Sequence, residues 1–235
     1  MFNAYFEHPE IQHYAGLGAR SLQTNSLLYH SNMTNHSKML PSLTRAVVIG
    51  GAGFSLASFC VFATVAFGER WLYTHLGILG AYLVWTTLFI LLGGAVLGSL
   101  VEGRWSLPKF YLLFGVAFFA YAVGWVGAYF TLRGTAGEWV GSLVGSILMA
   151  LVFAAGFGAI RAVMKMSVFL FVANSLGYFA GSALNDYVGG KAGMLLWGIL
   201  YGLCLGAGIG AVLRLAQGAG RQDQEPDGRR QEAGG

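Results

Sequence analysis

The stretch LLWGILYGLCLGAGIGAVLRL, residues 195–215, decides what surrounds this chain, because it holds no charged residue before Arg214. Four glycines stand in strict steps of four within it: Gly198, Gly202, Gly206 and Gly210. In water, each interior glycine costs a helix roughly 1 kcal/mol relative to alanine. In hydrocarbon, backbone groups must bond within the segment, and a row of glycines lets a neighbouring helix approach closely. The stretch therefore predicts a transmembrane helix with a packing face.

The composition of the whole chain agrees with this prediction. Of the 235 residues, 56% are hydrophobic and only 10% are charged, and the mean hydropathy is +0.61, whereas soluble domains carry about 25% charged residues. A helix of about 20 apolar residues crosses the hydrocarbon core of a bilayer. Six runs are of this kind: 46–68, 77–101, 110–132, 139–160, 166–186 and 192–213. We predict an all-α polytopic membrane protein, a bundle of six transmembrane helices joined by short loops.

Basic residues divide the connections into two groups. Eleven of the 14 Lys and Arg residues lie in the amino-terminal tail, between the second and third runs, between the fourth and fifth runs, or after the sixth. Only Arg70, Arg133 and Lys191 lie in the other connections. Cytoplasmic loops carry the excess of basic residues in membrane proteins. Both termini are therefore predicted to be cytoplasmic, and the chain is assigned to the cell membrane, plasma or cytoplasmic.

Two polar segments flank the transmembrane domain, which is predicted over residues 46–213. Residues 1–45 show neither the helical nor the strand period, and they are interpreted as a polar cytoplasmic tail. Residues 214–235 are rich in Gly, Gln and mixed charges and are predicted to form a disordered cytoplasmic tail.

Shorter rows of small residues occur in three other runs. Gly94 and Gly98 lie in the second run, Gly141 and Gly145 in the fourth, and Ala173, Gly177 and Gly181 in the fifth. Residues four apart share one face of a helix, so each row marks a place of close approach. Two uses stay open at this point. The rows serve either ordinary packing within one bundle, or a function of their own, which is a tight oligomer face or a sliding surface in a gated transporter.

Asn174 is the most informative polar residue of the spans. An amide in the middle of a span must find a partner or lose several kcal/mol. We favour a hydrogen bond between helices, typically worth about 1 kcal/mol in membranes, over a role in lining a solute path. The hydroxyl residues that would join Asn174 in a polar seam are Thr86, Thr87, Ser142, Ser146, Ser175 and Ser182.

The spans lack the residues that several function classes require. Apart from Asp186, at the end of the fifth run, they contain no Asp, Glu, His, Lys or Arg. Proton relays, voltage sensors and ion-coupled pumps usually need such residues at membrane depth. The histidines of the tail match no zinc-binding spacing. We therefore predict no enzyme activity, no catalytic or cofactor-binding residues and no metal site. The net charge of +4 follows from the cytoplasmic bias, so no nucleic-acid partner is predicted.

These observations predict a structural or accessory membrane component that packs with other membrane helices through its glycine-rich faces. Its expected partners are the lipid bilayer and either a second copy or another membrane protein. The alternative is a passive channel or facilitator for a small uncharged solute, with Asn174 lining the route.

Overall fold

The computed structural model describes residues 42–101 and 107–222, which are helical almost throughout and contain no strand. Five helices, α1 to α5, span Leu43–Gly98, Leu107–Leu132, Gly134–Phe157, Val163–Val188 and Gly190–Gln222. A short 3-10 helix, Ile160–Ala162, precedes α4. All five helices are long and apolar enough to cross a membrane. The predicted all-α, multi-pass membrane class is confirmed.

Helix α1 consists of two arms, residues 43–76 and residues 78–98, which meet at Gly77. Gly77 has φ 67° and ψ 179°, a conformation that is essentially restricted to glycine. Residues 69–76, which separate the first two predicted runs, are helical and belong to the first arm. The chain needs only Gly77 to make the turn. The described residues thus form five helices when α1 is counted as one, and six long helical segments when its two arms are counted separately.

The two arms of α1 pack against each other. The rings of Phe54 and Phe89, one from each arm, are stacked with 5.7 Å between their centroids. Gly53 on the first arm faces the side chain of Val96 on the second. The arms therefore run antiparallel and correspond to the first two apolar runs of the sequence. The number of membrane crossings and the side on which the termini lie stay predictions.

The last helix extends beyond the predicted end of the transmembrane domain at residue 213. It reaches Gln222, and Ala216 and Gln217 are buried. The Gln217 side-chain amide donates a hydrogen bond of 3.1 Å to the Leu100 carbonyl at the end of α1. The prediction of a disordered tail from residue 214 is therefore wrong for 214–222, which are helical, and the neighbouring helix ends pack against this segment as far as Gly220. The rest of the predicted carboxyl-terminal tail, residues 223–235, lies outside the described residues. Residues 1–41 of the predicted amino-terminal tail lie outside them as well.

Aromatic side chains from α1 and α2 form much of the core. The Phe54 ring lies edge-on to the Phe114 ring, with 6.4 Å between centroids, and the Phe89 and Phe118 rings are 5.3 Å apart. Pairs of this kind contribute about 0.5 to 1.5 kcal/mol each beyond the area that they bury. The periphery, by contrast, exposes large apolar side chains, which suits a hydrocarbon environment.

Candidate functional site

A cluster of buried polar side chains lies where four helices meet. We call it the polar cluster, and its members are Tyr121 on α2, Ser142 on α3, Asn174 and Ser175 on α4, and Tyr201 on α5. Asn174 is fully buried, at 0% exposure. The five residues are spread over 81 positions of the sequence, from 121 to 201, and the packing of the helices brings them together.

A continuous chain of hydrogen bonds links the members of the polar cluster. The Tyr121 hydroxyl donates to Asn174 Oδ1 at 2.7 Å, and Asn174 Nδ2 donates to Ser142 Oγ at 2.8 Å. The hydroxyl oxygens of Ser142 and Ser175 are 2.7 Å apart, and those of Tyr121 and Tyr201 are 3.0 Å apart. The Asn174 amide thus uses both its oxygen and its nitrogen within the chain. This geometry agrees with the favoured interhelical role for Asn174.

Glycines beside the polar cluster bring its helices close together. A methyl group added at Gly145 on α3 would lie 2.7 Å from the Tyr121 ring. One added at Gly177 on α4 would lie 3.1 Å from the Tyr201 backbone. The distance at Gly145 is shorter than any real side chain allows, and the distance at Gly177 is so tight that the neighbouring backbone would have to shift. The small residues therefore position the two tyrosine hydroxyls within hydrogen-bonding reach of their partners.

The glycine row of α5 packs against the first arm of α1. A methyl group added at Gly202 would lie 2.5 Å from the Ser58 Cβ and 2.7 Å from the Ser55 backbone. The other three glycines meet the same arm: Gly198 meets Phe62, Gly206 meets the Gly50 carbonyl, and Gly210 meets the Ala46 carbonyl. The close approach lets Ser55 Oγ donate a 2.9 Å hydrogen bond to the Ile199 carbonyl. The groove on α5 is thus filled by the chain itself.

The remaining predicted packing glycines also face other helices of the chain. Gly94 lies against Tyr111, Gly98 against Leu107, Gly177 against Tyr201 and Gly181 against Trp197. Of the two uses that the sequence left open, this geometry favours ordinary packing within one bundle. An association with another protein would need a different surface.

Sequence reasoning identified some members of the polar cluster and missed others. Asn174, Ser142 and Ser175 were singled out, whereas Tyr121 and Tyr201 were not. A tyrosine inside an apolar run is a usable signal, because a buried phenol hydroxyl usually finds a partner. The buried Ser146 hydroxyl, expected in the same polar seam, has no hydrogen-bond partner among the described residues.

A second polar contact joins α3 to α4 about one helical turn from the polar cluster. The Tyr178 hydroxyl donates to Glu138 Oε1 at 3.2 Å. The Tyr178 ring lies between the indoles of Trp125 and Trp197, with centroids 5.6 and 5.5 Å away. The indoles and the hydrogen bond hold the phenol in place beside the carboxylate. This contact ties the two helices together, as the polar cluster does deeper in the bundle.

Over the described ranges, no group of three or more His, Cys, Asp or Glu side chains is arranged to hold a metal ion. No protein-family model, curated protein sequence or solved structure matches this chain.

Proposed function

We propose that this multi-pass membrane protein is a structural or accessory component of an assembly in the cell membrane, plasma or cytoplasmic. The observation that carries the proposal is the hydrogen bonding of Asn174, whose oxygen and nitrogen each bind a side chain of the same protein. A facilitator needs polar groups that exchange their partners with a passing solute. Here the central polar groups stabilise the bundle, so the chain acts by association with a second copy or another membrane protein. Catalysis and nucleic-acid binding have no part in it.

The outer face of α2 is the surface that we assign to this association. Its exposed apolar side chains follow a spacing of three and four residues, the pattern of a helix-packing seam: Leu112, Val116, Phe119, Val123 and Phe130. Only 28% of the most apolar part of α2 is buried within the chain, against 56% for α5. Gly127, on the same side, has open space around it, so another helix has room to approach there.

The test is a mass measurement on protein extracted in a mild detergent or directly into lipid nanodiscs. We expect the wild-type chain to be recovered in a complex, with itself or with a co-purifying membrane protein. The double substitution Phe119→Ala and Val123→Ala on α2 should convert the complex to monomers. The control is Leu143→Ala with Leu151→Ala, two exposed apolar residues on α3, which should leave the complex intact. Recovery of wild-type monomers alone would refute the proposal.

The facilitator alternative predicts a different result. Vesicles reconstituted with the wild-type chain would become permeable to small uncharged solutes, and Asn174→Leu would abolish the flux. Our proposal predicts that the vesicles stay impermeable with either protein.

A further inference from the structure

The two ends of the helix bundle differ in charge. We call the end where α1, α2 and α4 begin and α5 ends the basic end. The described basic residues at this end are Arg45, Lys109, Arg161, Lys165, Arg214 and Arg221. The described acidic residues, Glu69, Glu138 and Asp186, all lie toward the opposite end. Within residues 42–101 and 107–222, the basic end therefore carries positive charge alone.

An apolar groove opens on the side of the bundle between α4, α5 and the start of α1. Its volume is about 480 Å³. Val168 and Val172 of α4 form one wall, and Leu203, Ala207 and Ala211 of α5 form the other. Because α5 offers mostly small residues here, the groove stays open to the surrounding lipid.

Two basic residues stand at the end of the groove that is nearest the basic end. Lys165 precedes Val168 by three residues and Val172 by seven, so all three share one face of α4. Arg214 follows Ala211 by three residues and lies in the same way on α5.

The side chains of these two residues are placed for contact with headgroups. Lys165 is exposed and Arg214 is half-buried. Arg214 Nη1 lies 3.1 Å from where a Cβ of Gly218 would be, so its guanidinium extends along α5 away from the groove. Long basic side chains extend in this manner to keep their charge at the level of the headgroups.

The length of this arrangement fits one leaflet of a bilayer. From Arg214 to Leu203, α5 rises about 16 Å at 1.5 Å per residue. Half of the hydrocarbon core of a bilayer is about 15 Å. A molecule with a charged head at Arg214 and a flexible apolar chain reaching Leu203 would therefore fill the groove. If the groove were unfilled, the side chains of its walls would lose van der Waals contacts on that side.

We infer that an anionic phospholipid binds this groove, with one acyl chain between α4 and α5 and its phosphate beside Lys165 and Arg214. The positive charge recognises the headgroup, and the apolar walls distinguish a lipid from a free phosphate ion. Lipid binding here does not depend on whether the chain joins an assembly. It concerns α4 and α5, whereas the proposed association concerns α2.

The test measures the lipids that stay bound when the full chain is purified from nanodiscs containing equal amounts of phosphatidylglycerol and phosphatidylcholine with identical acyl chains. We expect the purified protein to retain more phosphatidylglycerol than phosphatidylcholine. Lys165→Gln should lower its retention roughly fivefold, and adding Arg214→Gln should lower it further. Lys109→Gln is the matched control, since this exposed basic residue at the same end lies on α2, outside the groove.

A second variant separates groove binding from attraction to surface charge. Ala207→Leu fills the groove and leaves every charge in place, and we expect it to lower phosphatidylglycerol retention as well. Equal losses in Lys109→Gln and Lys165→Gln, or full retention in Ala207→Leu, would overturn the inference. So would displacement of the bound lipid by inorganic phosphate alone.

Discussion

Tyr121 on α2 and Asn174 on α4 are 53 positions apart in the sequence, and the Tyr121 hydroxyl donates a 2.7 Å hydrogen bond to Asn174 Oδ1 in the interior of the bundle. Helix α3 lies between them in the sequence and joins the same network through Ser142. The bond therefore couples helices that short connections alone would not hold together.

Replacing Asn174 should destabilise the bundle. Asn174→Leu leaves the Tyr121 and Ser142 hydroxyls without their central partner, so the free energy of unfolding should fall by about 1 to 3 kcal/mol. A double-mutant cycle with Tyr121→Phe, measured by equilibrium unfolding in mixed micelles, should give a coupling of about 0.6 to 1.7 kcal/mol. Ser146→Ala removes a buried hydroxyl that has no partner among the described residues, and it should leave stability unchanged or raise it. A coupling near zero would mean that the hydrogen bond contributes nothing.

Enlarging a glycine in the α5 row should force α5 away from α1. At Gly206 the nearest obstacle is the Gly50 carbonyl, which is backbone and cannot rotate aside. We expect Gly206→Ala to lower the free energy of unfolding by about 1 to 3 kcal/mol. Gly68→Ala, outside the α2 face, is the control: an added methyl group meets nothing within 4 Å, so the change should be neutral or stabilising. Equal effects of the two substitutions on thermal unfolding would contradict the packing role.

The turn in α1 should require glycine at residue 77. With φ at 67° and ψ at 179°, Gly77→Ala should cost about 1 to 3 kcal/mol of stability. Gly68→Ala, within the first arm, meets nothing within 4 Å and serves as the matched control. Thermal unfolding in detergent measures both variants. An unchanged transition in Gly77→Ala would show that the chain turns there in another conformation.

The orientation in the membrane is predicted from the basic end, which should face the cytoplasm. In a background with Cys60→Ala and Cys204→Ala, a cysteine replacing Thr74 should react with an impermeant thiol reagent on intact cells. A cysteine replacing Lys165 should react only after permeabilisation. The opposite pattern would invert the topology. If both cysteines were labelled from the same side, the two ends of the bundle would not lie on opposite sides of the membrane, and the proposed spanning arrangement would be wrong.

Hydropathy located the helices well but not all of their ends. The runs at 110–132 and 166–186 agree with α2 and α4 to within a few residues, because the free energy of placing a segment in lipid depends on that segment alone. The end of α5 was misplaced, since residues 214–222 are polar enough to suggest a solvated tail. The neighbouring helix ends pack against this segment as far as Gly220, and the local sequence does not contain this information.

The sequence by itself determined that this chain is a set of apolar helices with places of close approach at its glycine rows and a buried amide at Asn174. Only the tertiary structure decided the partners: the first arm of α1 for the α5 row, and Tyr121 with Ser142 for Asn174. A glycine row can pack against any helix that has small residues on its surface, and a side-chain amide can hydrogen-bond to any hydroxyl within reach. The choice among such partners is made by the packing of the whole bundle, where all close contacts and all buried hydrogen bonds must be satisfied together.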